Sequence, residues 1–323
     1  MKKILAIMLA VCMLLVCTAC GGEAPKKDDT LKIGVIQLVK HDALDSAYKG
    51  FADGLKDAGY GEDKVVIDYK VATGKTDECA TIADQLVSDN SDLILAIATG
   101  AAQAVINKTD SIPVFVTAVT NPEGDCPGPN VSGTSDLGPI ERQIQFSKEI
   151  CPYLKTIGIL YNSSEANSKF QAELAKKAAD KYKIPYKEFT VTAATELQST
   201  VESMKGVVEA CWIPTDNTCA SNMPVISSAA EAAKVMTICG EAGMVNKGGL
   251  VTCGAFDYYE LGKQTAAMAV KVLSGEKEVG DLPIEFQAAG EDAEVVINTD
   301  VAKNFDVPED ILNKATKVTT VTE

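Results

Sequence analysis

A single histidine, His41, stands in 323 residues. Every mechanism that needs an imidazole therefore passes through one side chain, on the loop after the first strand-like segment. No G-x-S-x-G elbow sets a serine nucleophile opposite it, which removes the geometry of a serine triad. Basic residues are scarce, 30 against 45 acidic ones, for a net charge of -15, so nucleic acid and anionic membrane surfaces are poor partners. No C-x-x-C pair occurs. After Cys20 the cysteines are Cys79, Cys126, Cys151, Cys211, Cys219, Cys239 and Cys253, an odd, scattered set that is neither a disulfide framework nor a zinc site and reads as buried thiols. Free thiols outside the cell are unusual and point to an anaerobic habitat. Gly74-Lys75-Thr76 ends like a phosphate loop, but Tyr69 stands where that motif needs its first glycine.

What is present begins with Cys20 and its surroundings. Met1-Lys2-Lys3 is a basic start, residues 4–16 are an unbroken apolar run, and Thr18-Ala19 puts small residues before the cysteine. That run fits a secretory signal and falls short of the ~20 residues of a membrane-spanning helix. The segment resembles a bacterial lipoprotein signal, with Cys17 where such signals usually carry leucine. The resemblance implies cleavage before Cys20, a lipid on its thiol, a tether over residues 20–30, and a domain held at the outer face of the cell membrane.

From residue 31 short apolar strands alternate with amphipathic helices: strands over 31–38, 65–71, 93–98 and 113–116, with helices over 43–58, 77–88 and 101–107. After a Gly/Pro-rich stretch at 121–138 the series restarts, and Ile157-Gly158-Ile159-Leu160 echoes Ile33-Gly34-Val35-Ile36. The fold class is α/β, two doubly wound parallel-sheet lobes joined by a hinge. Residues 31–134 plus 258–282 are expected in lobe one, and 135–257 plus 283–323 in lobe two. Trp212 ends an apolar strand and is expected in the core.

In open α/β sheets ligands sit beyond the carboxyl ends of the strands, and the loops there are polar. The segments Ile33-Gly34-Val35-Ile36-Gln37, His41-Asp42-Ala43-Leu44-Asp45, 99–104, Val119-Thr120-Asn121-Pro122, 161–168, Pro214-Thr215-Asp216-Asn217 and Asp257-Tyr258-Tyr259-Glu260-Leu261-Gly262 are similar to those of ABC-importer solute-binding lipoproteins with the type I periplasmic-binding fold. More narrowly they resemble the family that includes tryptophan- and tyrosine-binding proteins. The resemblance implies a non-enzymatic monomer, without cofactor or metal, that captures a small solute between its lobes and docks on a membrane permease. An aromatic amino acid is the favoured solute. Such a ligand needs donors for its carboxylate, an acid for its ammonium and walls for its ring. Thr99, Gly100, Ala101, Ala102, Ser163, Ser164, Ala166, Asn167 and Ser168 suit the first. Asp216 or Asp257 suits the second, Asp257 being the first to test. His41, Tyr161, Phe256 and Tyr258 suit the third, with Gln37, Thr120, Asn121 and Asn217 on the same strand-end loops. Tyr258 and Tyr259 point apart at a helix start, so at most one meets the ligand. Two other readings are a secreted hydrolase, with Asp216 and Asp257 as an acid/base pair, and a sensory lipoprotein without a transporter.

Overall fold

The computed structural model describes residues 30–254, 256–287 and 294–321. Cys20 and the signal-like segment lie outside the described residues. Strands β1 (Leu31–Gln37), β2 (Val65–Val71), β3 (Leu93–Ile97), β4 (Val114–Val119) and β5 (Val131–Ser135) come first in the chain. The second series is β6 (Ile157–Asn162), β7 (Tyr186–Val191), β8 (Ala210–Ile213), β9 (Met236–Cys239) and β10 (Val251–Cys253). β11 (Glu285–Phe286), β12 (Val295–Asn298) and β13 (Thr316–Val318) follow a long helix, Tyr258–Leu273.

Two sheets result. One runs β11-β5-β4-β3-β1-β2 and the other β13-β12-β10-β9-β8-β6-β7. All pairs are parallel except β10 with β12. β3, β4, β6 and β8 are buried along their whole length, as parallel strands covered by helices on both faces must be. The sequence echo has a structural meaning: β1 lies between β2 and β3 as β6 lies between β7 and β8, so each lobe opens on an equivalent strand, one in from the sheet edge. Each sheet has its own core, and the second has one on each face. Trp212 is fully buried in one of these, its indole N–H donating to Gln143 Oε1 at 2.9 Å.

The chain leaves the first sheet after Ser135 and returns after Cys253. The helix Tyr258–Leu273 then packs on the helix Asp42–Asp57, whose buried stripe is Ala43, Leu44, Ala47, Phe51 and Leu55. One boundary differs from expectation. Residues 283 onward belong to lobe two on sequence grounds, yet Glu285 and Phe286 pair with Thr134 and Ser135 of β5. The Ser132 hydroxyl holds the approach to this strand by donating to the carbonyls of Leu282 and Pro283. The last crossing therefore lies between β11 and β12.

Candidate functional site

The carboxyl ends of both sheets face a closed cleft. From the first lobe and its exits come His41, Ala118, Thr120, Asp136 and Tyr258; from the second come Asn167, Thr215, Asp216, Asn217 and Glu241. The enclosed space is about 10 Å³, room for about one water molecule. Hydrogen bonds cross it: His41 Nε2 meets Asn217 Oδ1 at 3.3 Å, and Gln171 Nε2 donates to Thr120 Oγ1 at 3.3 Å. Nearby, Lys247 Nζ pairs with Asp42 at 3.5 Å. The wall includes a strained residue. Ala118 has φ 53° where β4 loses register between Val116 and Val119, a left-handed conformation that costs a non-glycine residue about 1–2 kcal/mol.

Three buried carboxylates surround this space. Asp136 follows β5 directly; its Oδ1 accepts from the Thr120 hydroxyl at 3.0 Å and its Oδ2 from the Tyr258 hydroxyl at 2.9 Å. Burial raises its pKa against the pull of those two donors. Glu241 caps the helix Ala242–Asn246 through the N–H groups of Gly243 and Met244. Burial pushes its pKa up to about 7, with the charge of Asp136 adding to the shift. Asp216 accepts from Cys219 N at 2.8 Å and Asn162 N at 2.6 Å. Its pKa is also raised, by burial first and by the Glu165 charge second, while the Ser168 hydroxyl opposes the shift. Burial lowers the pKa of His41, against its bond to Asn217.

Of the residues expected from sequence, His41, Thr120, Asn167, Asp216, Asn217 and Tyr258 meet around the cleft. The others do not line it. The amide of Gln37 is consumed within lobe one, donating to Val39 O and Asp45 Oδ1 and accepting from Tyr69. Ala101 and Ala102 are core residues, and Gly100 faces Leu38. Thr99 opens the helix Thr99–Ile106 with its hydroxyl buried and unpartnered. Asn121 supports the turn at Asp125. The Tyr161 hydroxyl donates to Glu188, and Ser163 bonds back to Val191 O. Ser164 is exposed, Ala166 begins the helix Ala166–Lys181, and Ser168 is held between Asn167 and Asp216. Phe256 belongs to the first lobe's core. Asp257 is exposed and caps the helix Tyr258–Leu273, accepting from Tyr259 N and Glu260 N, so its charge is directed into the helix end. Sequence reasoning missed Asp136, Glu241 and Thr215. The signal available for Glu241 was its place just beyond an apolar strand.

Residues 32–319 match the family model for the ABC transporter substrate binding protein. The chain belongs to that family. A curated relative, the tyrosine-binding protein of Clostridioides difficile strain R20291, is 38% identical over 95% of this chain and 93% of its own length. A Streptococcus pneumoniae ABC domain in complex with L-Trp is 38% identical and superposes with a TM-score of 0.83, covering 90% of this chain and 99% of that one. A ligand-free, open substrate-binding protein with adhesive properties from Clostridium difficile is 36% identical, covering 90% of this chain and 100% of that one, yet its TM-score is 0.68. At nearly equal identity the fit is better to the ligand-bound protein, in keeping with the hydrogen bonds that cross the cleft here. The type I periplasmic-binding fold expected from sequence is the fold observed.

Proposed function

We propose that this member of the family is a lipid-anchored, extracytoplasmic receptor that captures an aromatic α-amino acid between its lobes and delivers it to a membrane permease. One observation carries the reading of the ligand. Asp136, Asp216 and Glu241 are buried around the cleft, and among the described residues no lysine or arginine lines it. Carboxylates buried without a cation cost several kcal/mol each, and a ligand ammonium supplies the missing charge. Asp216 is already satisfied by two backbone N–H groups and a hydroxyl. Asp136 accepts one donor on each oxygen and keeps a lone pair on both, so it is the acceptor in this reading. The ligand carboxylate suits Asn167, which lines the cleft at the start of a helix without a side-chain cap. The relatives named for tyrosine and bound to L-Trp support an aromatic side chain.

Calorimetry with L-tyrosine and L-tryptophan tests the reading, with dissociation constants expected on the order of micromolar. The pH dependence tests it more sharply. Glu241, with a folded pKa of about 7 against an ordinary 4.5, keeps a proton in the ligand-free fold that the unfolded chain releases across that interval. Ligand-free stability therefore falls as pH rises through the window. A bound ammonium favours the ionised carboxylates, so binding expels protons below pH 7. Affinity should rise from pH 5.5 to 7.5, by up to ~10-fold per pH unit for each group that must ionise, and then level off. His41 acquires charge only at the acid end and acts in the same direction. A pH-independent affinity over that range would exclude an ammonium beside these acids.

The anchor in this proposal is Cys20. A Cys20→Ser chain is expected in the medium, or unprocessed in the membrane. Recovery of that variant in the membrane fraction in processed form would require another anchor.

A further inference from the structure

Two consecutive residues at the start of the helix Asp42–Asp57 grip lobe two from lobe one. His41 Nε2 lies 3.3 Å from Asn217 Oδ1, and Asp42 pairs with Lys247 Nζ at 3.5 Å. The first contact has a fixed polarity. Asn217 Nδ2 donates to Glu165 Oε2 at 2.7 Å, and a carboxylate accepts, so the amide turns its oxygen to His41 and the imidazole donates from Nε2. Lys247 is anchored through its backbone. Its N–H donates to Gly243 O at 3.1 Å, and the carbonyl of the next residue, Gly248, accepts from the Ser227 hydroxyl. Between the lobes the cleft encloses about 10 Å³, room for about one water molecule and too little for any amino acid. Protein takes up that place, His41, Thr120 and Asn217 among it. Asp42 and Lys247 do not line the cleft; they stand on the wall of a larger cavity of about 610 Å³ that opens to solvent.

Resting on the amino-acid reading above, we propose that this closed form is self-occluding, and that the Asp42–Lys247 pair is a latch that, with the His41–Asn217 bond, holds it shut against the solute rather than around it. The amino acid enters a form with the lobes parted. The latched form competes with that one, and apparent affinity is the intrinsic affinity reduced by the unlatched fraction. A contact made only in the latched form therefore weakens capture. The device lies outside the cleft, so it sets how readily the receptor loads without taking part in recognition.

The test is calorimetry with L-tyrosine and L-tryptophan on the full chain, comparing the unaltered protein with Asp42→Asn, Lys247→Met and the double variant. Each single variant is expected to bind about two- to fivefold more tightly, the range open to one partly exposed ion pair. The sign is decisive. Asp42→Asn removes an anion and Lys247→Met a cation, so a direct effect of charge on the ligand would move the two affinities in opposite directions, whereas release of a latch tightens both. Asp42→Asn should add nothing once Lys247 is replaced. Small-angle scattering of the ligand-free proteins should give larger radii of gyration for the variants than for the unaltered chain. Unchanged, weaker or opposite affinities in the single variants would overturn the latch, as would effects that multiply in the double variant. If neither amino acid binds the unaltered protein, the amino-acid reading falls. Scattering then judges the latch by itself, and equal radii in all four proteins would overturn it as well.

Discussion

Asp136→Asn should weaken amino-acid binding by roughly 30- to 1,000-fold, or ~2–4 kcal/mol, the usual cost of removing one member of a buried, hydrogen-bonded charge pair. Asparagine keeps the volume and still offers an oxygen to the Thr120 hydroxyl, so the ligand-free fold loses little. Because burial disfavours the charged form of Asp136, the neutral amide is expected to leave the ligand-free melting temperature unchanged or slightly higher. That divergence, affinity lost with stability kept, separates a ligand acceptor from a structural carboxylate. Asp257→Ala is the matched control. Its carboxylate is exposed and caps a helix, so the substitution should lower the melting temperature by about 2 °C and leave affinity alone. Undiminished binding by Asp136→Asn, or lost binding by Asp257→Ala, would return the ammonium to a different acid.

The contrast between these two aspartates shows where the sequence was legible. Parallel strands covered on both faces must be continuous apolar runs, so β1, β3, β4 and β6 stand out, and the rule that ligands gather beyond strand ends leads to His41, Thr120, Asn167 and Asp216. β5 hides. Its residues Val131-Ser132-Gly133-Thr134-Ser135 look like linker, inside a stretch rich in glycine and proline. It is nonetheless buried because its polar side chains have fixed partners: the Thr134 hydroxyl lies 3.0 Å from that of Thr117 and 2.8 Å from that of Thr265, and the Ser135 hydroxyl donates to Thr120 O at 2.8 Å. Thr265 is 131 residues away from Thr134 in sequence, and no local pattern announces it. Without β5, Asp136 is not a strand-end residue. Asp257 misleads for the opposite reason. It follows the apolar β10, but that strand ends at Cys253, and Asp257 itself is exposed at the start of the helix Tyr258–Leu273.

Gly262→Val should lower stability by about 3 kcal/mol, a fall of roughly 6–12 °C in melting temperature. Gly262 lies where the helix Tyr258–Leu273 crosses the helix Asp42–Asp57 with backbones nearly touching. A Cβ at Gly262 would lie 2.1 Å from Ala47 O and 2.8 Å from Phe51 N, and one at Gly50 would lie 1.9 Å from Tyr259 O. Neither obstacle is the tip of a flexible side chain, so a methyl group at either position forces the helices apart. The effect extends beyond stability, because the same helix begins at Tyr258, whose hydroxyl is bonded to Asp136, one helical turn before Gly262. Moving the helix outward withdraws that hydroxyl from the buried carboxylate. Amino-acid affinity measured well below the melting point should therefore fall together with stability, unlike in Asp136→Asn, where affinity alone falls. Gly61→Ala supplies the baseline: its Cβ would meet only the Asp63 side chain, at 3.1 Å, and the melting temperature should not move. A Gly262→Val protein that melts with the wild type would mean that the two helices do not make this close crossing in solution.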